Sequence, residues 1–405
     1  MMTKVRECLV HPVSVKLLKQ GHPWVTADNF SNRFPKNEEF VIAMDERKRA
    51  IALLINDPFH KSIKGRVWST KFPFDREALH FTASIQARIE NAVSKREAMK
   101  ELKERDNYYL VFGEADQLPG LFILKLQDRV LIQFYTGFWV RYKGILQTTI
   151  QEYFPEITDD KIWFQTRGET QASQKLPQNA EDQGKREEFH LQEYGIQYWI
   201  RLGGQYDHGL YTDMSHIRER IKPLLNENTK FLNLFSYTGA FSLWALKNKS
   251  QDVVSVDLSP KYIEWLQNNL GLNADLDHTK HQSMVMSVED ALDSLLKEGR
   301  KFNVILSDPP SSSSDGNKRT SAITNYKDLL SRMDKVLDVG GSMIVFLNTH
   351  QVSAQKFERV ITDNLKELKL NYTVRDRLRL GGDCPTLKGF PEGDYLKGII
   401  LEKKS

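Results

Sequence analysis

From about residue 194 the chain alternates between short apolar runs and longer amphipathic stretches, and this alternation limits the fold more than any other feature. FLNLF (231–235), DVVSVD (252–257), SMVMSV (283–288), FNVILSD (302–308), GSMIVFLN (341–348) and YLKGIILE (395–402) read as strands. Between them, apolar residues recur at helical spacing over about 239–248, 260–271, 290–299, 324–338 and 353–367. Strands apolar on nearly every residue are buried on both faces, so the expected arrangement is an α/β fold with a mostly parallel sheet covered by helices. In such a sheet ligands bind at the carboxyl ends of the strands, where the strand order reverses. The residue that follows each strand is therefore a candidate.

After the first strand comes SYTGAF, in which Gly239 permits a tight turn into a helix. After the second comes Asp257, 18 residues beyond Gly239, an acid able to accept from both hydroxyls of a ribose. Glu289 and Asp290 follow the third, and Asp290 could accept from an adenine amino group. Each residue has a plainer reading: Asp257 and Asp290 could serve helix N-termini, and Gly239 only a turn. Their order along successive strands favours a ligand site. No Gly-Lys-Ser/Thr loop is present, so a nucleoside ligand fits better than a nucleoside triphosphate. The fourth strand exits into DPPSSSSDGNKR, where Ser311 to Asn317 is linker-like in composition but Asp308-Pro309-Pro310 is stiff. Because it lies inside the alternating region, it is expected to present a carboxylate to the site, with the serines and Asp315-Gly316 as a mobile lip.

The chain of 405 residues allows two to four domains. Residues 1–75 carry short β-type runs, EFVIAM, AIALLIN and KGRVWST, and 13 Lys and Arg against 8 Asp and Glu. The net charge of the whole is only +4, so this module is distinctly basic, as binding to nucleic acid requires. A helix (76–105), a β-meander and a second helix (138–153) follow, and the polar tract 167–188 is expected to be a mobile loop. No apolar run is long enough to span a bilayer, and the first residues lack the apolar core of a secretion signal, so a cytoplasmic, non-membrane protein is expected. Cys8 and Cys384 lie far apart and form no metal-binding pair, so no metal is expected.

NLFSYTGAF, VVSVDLS, SDPP, NYKDLL and FPEGDYLKG occur in the order found in the class I S-adenosylmethionine-dependent methyltransferases of the large-subunit ribosomal RNA methyltransferase I type. GHPWV (21–25), GEADQLPGLFI (113–123) and GLYTDMSHIR (209–218) resemble further segments of that family. The resemblance implies a β-rich RNA-binding PUA domain over 1–75, a central α+β domain over 76–190, and a Rossmann-like methyltransferase domain over 191–405 with a mostly parallel seven-stranded sheet. It places Tyr211 and Asp213 beside S-adenosylmethionine, wraps its methionine end with Phe235, Ser236, Tyr237 and Gly239, gives the ribose to Asp257 and the adenine to Asp290, and turns Asp308 toward both methyl donor and target base. His22, Trp24, Lys61, Lys64 and Arg66 become the expected RNA contacts, large-subunit ribosomal RNA the expected partner, and a homodimer is left open.

The departures concern the substrate half. Family members that methylate carbon 5 of cytosine carry a cysteine after the fifth strand, whose thiolate attacks carbon 6. Here the segment is VFLNTH, with Asn348 in the cysteine's place. Cys384 stands where the family more often has His, Asp207 where it often has Lys, and Ser311–Ser314 replace bulkier residues. Transfer to a nitrogen is therefore expected, with Asp308 and the Pro309 carbonyl holding an amino group in line. The alternatives are cytosine-5 transfer with another nucleophile such as Cys384, and RNA binding without catalysis.

Overall fold

A computed structural model describes residues 5–167, 186–203, 207–310, 312–314 and 319–404. The polar tract expected to be a mobile loop lies almost wholly outside them, as do Ser311, Asp315 and Gly316. The chain forms two compact units: Met1–Glu187 with Arg201–Tyr206 and Gly382–Gly393, and Glu188–Ile200 with Asp207–Gly381 and Asp394–Ser405.

In the first unit β1 (Arg6–Leu9), α1 (Pro12–Lys19), β2 (Trp24–Thr26), β3 (Phe40–Met44), β4 (Ala50–Asn56) and β5 (Ile63–Ser69) give a five-stranded sheet of order β1-β3-β4-β5-β2. Then come α2 (Phe74–Leu79), α3 (Phe81–Glu97), β6 (Asn107–Phe112), β7 (Leu121–Leu126), β8 (Arg129–Phe134), α4 (Lys143–Tyr153) and β9 (Ile162–Thr166), whose strands form a four-stranded sheet of order β6-β7-β8-β9. Ile42, Leu53 and Trp68 from the first sheet share one core with Ile85 and Ile89 of α3 and Ile123 and Ile132 of the second. The GEAD segment explains part of this union. Glu114 accepts from both Trp24 Nε1 (2.7 Å) and the Arg66 guanidinium (2.8 Å), while Asp116 takes the buried Arg96 in a two-pronged pair at 2.8 and 2.7 Å.

The second unit starts with a hairpin, β10 (Glu187–Glu193) and β11 (Ile196–Leu202), and α5 (Ser215–Ile221). The alternation then runs β12 (Lys230–Leu234), α6 (Ala240–Lys247), β13 (Asp252–Asp257), α7 (Pro260–Gly271), β14 (His281–Val285), α8 (Val288–Lys297) and β15 (Phe302–Ser307). It closes with β16 (Ser312–Ser314), β17 (Arg319–Ser321), α9 (Ala322–Val336), β18 (Leu337–Asn348), α10 (Ala354–Glu367), β19 (Tyr372–Leu378) and β20 (Leu396–Lys403). Seven strands make one sheet of order β14-β13-β12-β15-β18-β20-β19, parallel from β14 to β18, with β20 antiparallel to both neighbours. The order reverses between β12 and β15, as the alternation anticipates.

Two local readings are corrected. The third strand stops at Val285 rather than running to 288, because Ser287 caps α8 by accepting from Asp290 N. β19 was missed altogether: YTVRDRL alternates half-buried and exposed residues at a sheet edge, and its charges hide it among the polar segments. Ser312–Ser314 pair antiparallel with Arg319–Ser321.

Candidate active site

The turn leaving β12 is strained. Phe235, Tyr237 and Gly239 have φ of 59°, 50° and 84°, so two side-chain-bearing residues occupy the left-handed region within five positions. Hydrogen bonds hold them there: Ser236 N donates to Val256 O, Gly239 N to Ser236 O, and Tyr237 N to Asp257 Oδ2, each at 2.9 Å. A β-carbon on Gly239 would stand 2.4 Å from Leu266 Cγ, so glycine is also what lets α7 close on α6. The Ser236 hydroxyl, and that of Ser307 at the end of adjacent β15, are buried without a partner among the described residues.

Asp257 joins two loops. Its Oδ2 accepts from Tyr237 N and its Oδ1 from Ser259 N, both at 2.9 Å. The cap of α7 is Ser259, not Asp257, so the plainer reading of this acid is only partly right: it braces the turn and keeps lone pairs for a ligand. Burial pushes its carboxyl up from the ordinary range, against the pull of the two backbone donors. Asp290 sits in the exposed first turn of α8, where Ser287 Oγ donates to it at 2.7 Å, so its structural role as a cap partner is realised.

Three tyrosines cluster at the strained turn. Tyr211 lies 4.9 Å from Tyr237, and Tyr262 meets Tyr237 edge-on at 4.6 Å between ring centroids. Gly209 N donates to Tyr237 Oη at 3.2 Å, and Thr238 Oγ1 donates to Gly209 O at 2.7 Å, which ties the segment before α5 to the strained turn. Burial, then the nearby Asp207 and Asp213, raise the Tyr211 hydroxyl far above its usual range, so it stays neutral. Asp207 thus adds negative charge to the aromatic cluster.

Asp308 closes the group at the end of β15. Protein surrounds its carboxyl although an edge of the residue meets solvent. Burial, then the Asp213 carboxylate, push it up to about 7. Asp213 in turn accepts from Tyr395 Oη at 2.6 Å. Pro309 is buried, whereas Asn348, the last residue of β18, is exposed. The sequence reading assigned no role to Tyr262, Tyr326 or Tyr395. Tyr326 and Tyr395 lie in NYKDLL and FPEGDYLKG, and Tyr262 falls on the first turn after the Ser259-Pro260 helix start.

The expected RNA contacts need correction. Arg66 is 2% exposed and spends its guanidinium on Glu114, Tyr135 O (3.2 Å) and Asp57 (3.7 Å). His22 is 6% exposed, its Nε2 3.2 Å from Glu392, and Trp24 packs on Phe390 at 4.5 Å. Lys64 is half-buried and caps the carbonyls of Pro58 and His60. These four hold the first unit together, because a buried cation or indole needs its internal partners. Of the five, Lys61 alone is exposed. Cys384, the alternative nucleophile, is 1% exposed and belongs to the first unit. Among the described residues no helix is long and apolar enough to cross a membrane.

A strand-order reversal, a strained turn at the first strand end, and acids at the ends of the next strands define a class I methyltransferase fold. The chain belongs to the S-adenosylmethionine-dependent methyltransferase family, whose sequence profile matches residues 169–372. YwbD of Bacillus subtilis (strain 168) is 29% identical over 324 residues, covering 80% of this chain and 81% of that protein. Ribosomal RNA large subunit methyltransferase I of Salmonella paratyphi C (strain RKS4594) is 27% identical over 388 residues, covering 95% and 94%. The crystal structure of SMU.776 complexed with SAH superposes with a TM-score of 0.84 at 21% identity, covering 98% of this chain and all (100%) of that one, and so shares the fold.

The enzyme uses S-adenosylmethionine, and its residues fit that molecule. Asp213 and Asp308 suit a sulfonium and an ammonium, the unpartnered Ser236 and Ser307 hydroxyls offer polar contacts, and Asp257 retains acceptor capacity for a ribose diol.

Proposed function

We propose that this methyltransferase modifies a base of large-subunit ribosomal RNA, and that the acceptor atom is a nitrogen. The observation that carries the nitrogen assignment is the disposition of the thiols. The chain has 2 cysteines; Cys8 lies on β1 and Cys384 is buried, while the end of β18 presents Asn348. A carbon-5 mechanism needs a thiolate against the base. A base nitrogen brings its own lone pair and needs only positioning.

Bound S-adenosylmethionine supplies an electrophilic methyl group on a positively charged sulfur. Tyr211 and Asp213 lie beside it, Phe235, Ser236, Tyr237 and Gly239 bound the methionine end, Asp257 takes the ribose and Asp290 the adenine. Asp308 and the Pro309 carbonyl hold the acceptor amino group, and Asp308 receives its proton; Asn348 offers an amide to the edge of the base. Ribosomal RNA as substrate rests on the relative of that name, which aligns along nearly the whole chain, and implies action in the cytoplasm.

We assign the RNA contact of the first unit, the proposed PUA-type module, to a different surface from the buried set above. Arg49 and Lys19 converge on the buried Asp45, at 2.7 and 3.8 Å, which brings the β3–β4 turn with exposed Arg47 and Lys48 against the last turn of α1 with exposed Lys16 and Lys19. Such a patch fits phosphate. Reversing Lys16, Arg47 and Lys48 to Glu should weaken ribosomal RNA binding at least tenfold and lower its salt slope by about 2–3. An unchanged slope rejects this surface.

The function is tested by incubating the protein, labelled S-adenosylmethionine and large-subunit ribosomal RNA from cells lacking the enzyme. An N-methylated nucleoside, absent with Asp308→Ala, is expected. 5-Methylcytosine would refute the nitrogen assignment.

A further inference from the structure

Among the described strands β11 pairs with β10 alone, so its other edge is open to side chains. Two asparagines fill it, Asn269 near the end of α7 and Asn273 just past it. Asn273 accepts from Gln197 N and donates to Gln197 O, both at 2.8 Å, and Asn269 accepts from Trp199 N at 2.8 Å. The Trp265 indole donates to Trp199 O at 2.8 Å, which completes the second pair. The match follows from spacing. Residues 197 and 199 turn their backbone groups the same way, about 6.7 Å apart along a strand. Side chains four positions apart share one helical face, about 6 Å apart along the axis. The helix therefore stands in for a third strand.

Asn269 has a second task. Its Nδ2 donates to Thr238 O at 3.0 Å, inside the strained turn that follows β12. An N–H on one side and a carbonyl on the other fix which way the amide faces. From Thr238 the link continues: its Oγ1 donates to Gly209 O at 2.7 Å, and Gly209 N donates to Tyr237 Oη at 3.2 Å. Asn269 and Thr238 are fully buried, so water does not replace a partner lost there. Gly209 is held as closely: with φ of 106° it passes so near Trp265 that a β-carbon would stand 2.3 Å from Cζ2. One carboxamide thus joins the hairpin to the turn, and Thr238 carries the connection to the segment that bears Tyr211 and Asp213. The third bond of the Asn273 side chain goes to Asn269 O at 2.7 Å, and none of its bonds reaches the turn among the described residues.

We propose that Asn269 is a positioning residue for S-adenosylmethionine, acting through Thr238. Backbone in the left-handed region stays there only while its surroundings hold it. Asn269 holds the carbonyl between Tyr237 and Gly239, the two residues of the turn with φ of 50° and 84°. Without the carboxamide, Thr238 and the Gly209 segment tied to it lose their common anchor, and the wall they offer the cofactor loses its register. The inference rests on the reading above that this turn bounds the methionine end.

The test compares Asn269→Ala with Asn273→Ala. Both remove buried hydrogen bonds to β11, and Asn273→Ala removes more bonds in all, so a merely structural role makes it at least as harmful. Calorimetry should show S-adenosylmethionine bound about tenfold more weakly by Asn269→Ala and within about twofold of wild type by Asn273→Ala. In the unliganded proteins, hydrogen exchange should quicken over residues 235–239 in Asn269→Ala and over the hairpin alone in Asn273→Ala. Equal losses of affinity in the two variants, or an unchanged affinity in Asn269→Ala, overturn the proposal. Asp257→Ala is the reference for the site. If it too binds like the wild type, the placement of the cofactor is refuted and the proposal with it; if it alone is weakened, only the role of Asn269 falls. Should either asparagine variant fail to fold, Thr238→Val and Thr238→Ser decide. Valine loses the bond to Gly209 and should weaken binding, and serine, which keeps the hydroxyl, should restore it. A Thr238→Val protein that binds like the wild type overturns the proposal.

Discussion

Replacing Asp308 by Asn should make the unliganded protein more stable, and increasingly so as pH rises. In the unfolded chain this carboxyl titrates near 3.8, whereas in the fold burial and Asp213 push it up to about 7. Below pH 4 both states are protonated and the residue costs nothing. Between 4 and 7 the unfolded state ionises first, so the fold loses stability with rising pH, and above 7 the full cost is present. At about 1.36 kcal/mol per unit the ceiling is about 4 kcal/mol. The solvent-touching edge of Asp308 and relaxation of its surroundings should reduce this to about 2 kcal/mol. Asparagine keeps the shape and removes the charge. Urea unfolding of wild type and variant at pH 4, 5, 6, 7 and 8 should therefore show a difference that is small at pH 4, grows with pH and has levelled by about pH 7. An Asn variant that is less stable at pH 8, or whose advantage is flat with pH, would refute the reasoning. The same substitution should weaken S-adenosylmethionine binding, since the site gives up stability to hold a group the ligand needs.

Other regions make independent predictions. Gly239→Ala combines an unfavourable φ with the 2.4 Å approach to Leu266 and should cost at least about 2 kcal/mol of stability in thermal unfolding, with loss of cofactor binding. His281 is kept neutral, lowered to about 4 first by burial and then by His278, at the end of a chain through Ser255 and Ser242 to Asn233. Stability tied to it is complete above pH 6.5 and lost as pH falls toward 4, up to about 3 kcal/mol; His281→Phe should flatten that acid limb in urea titrations. Glu114→Ala strands Arg66 and Trp24 inside the first unit and should cost about 3–5 kcal/mol, seen in thermal unfolding, while S-adenosylmethionine affinity measured on the folded fraction stays the same.

The alternation of apolar runs and helical spacings was enough to read the seven-stranded sheet nearly whole, because buried parallel strands are apolar at every position. β19 escaped because an edge strand is polar on its open side. At the site, Asp257 and Asp308 were legible as acids closing strands, a local pattern. Tyr395 was not, since it meets Asp213 across 182 residues of chain. Arg66 and His22 misled for the opposite reason: in a basic segment each reads as a surface contact, and only the fold reveals Glu114 and Glu392 waiting for them.

The central claim is methylation of a large-subunit ribosomal RNA base at nitrogen. Its most direct test is nucleoside-resolved mass mapping of that RNA from cells with and without the gene. One N-methylated nucleotide should disappear on deletion and return with the wild-type gene but not with Asp308→Ala. An unchanged map, or loss of a 5-methylcytosine instead, would contradict it.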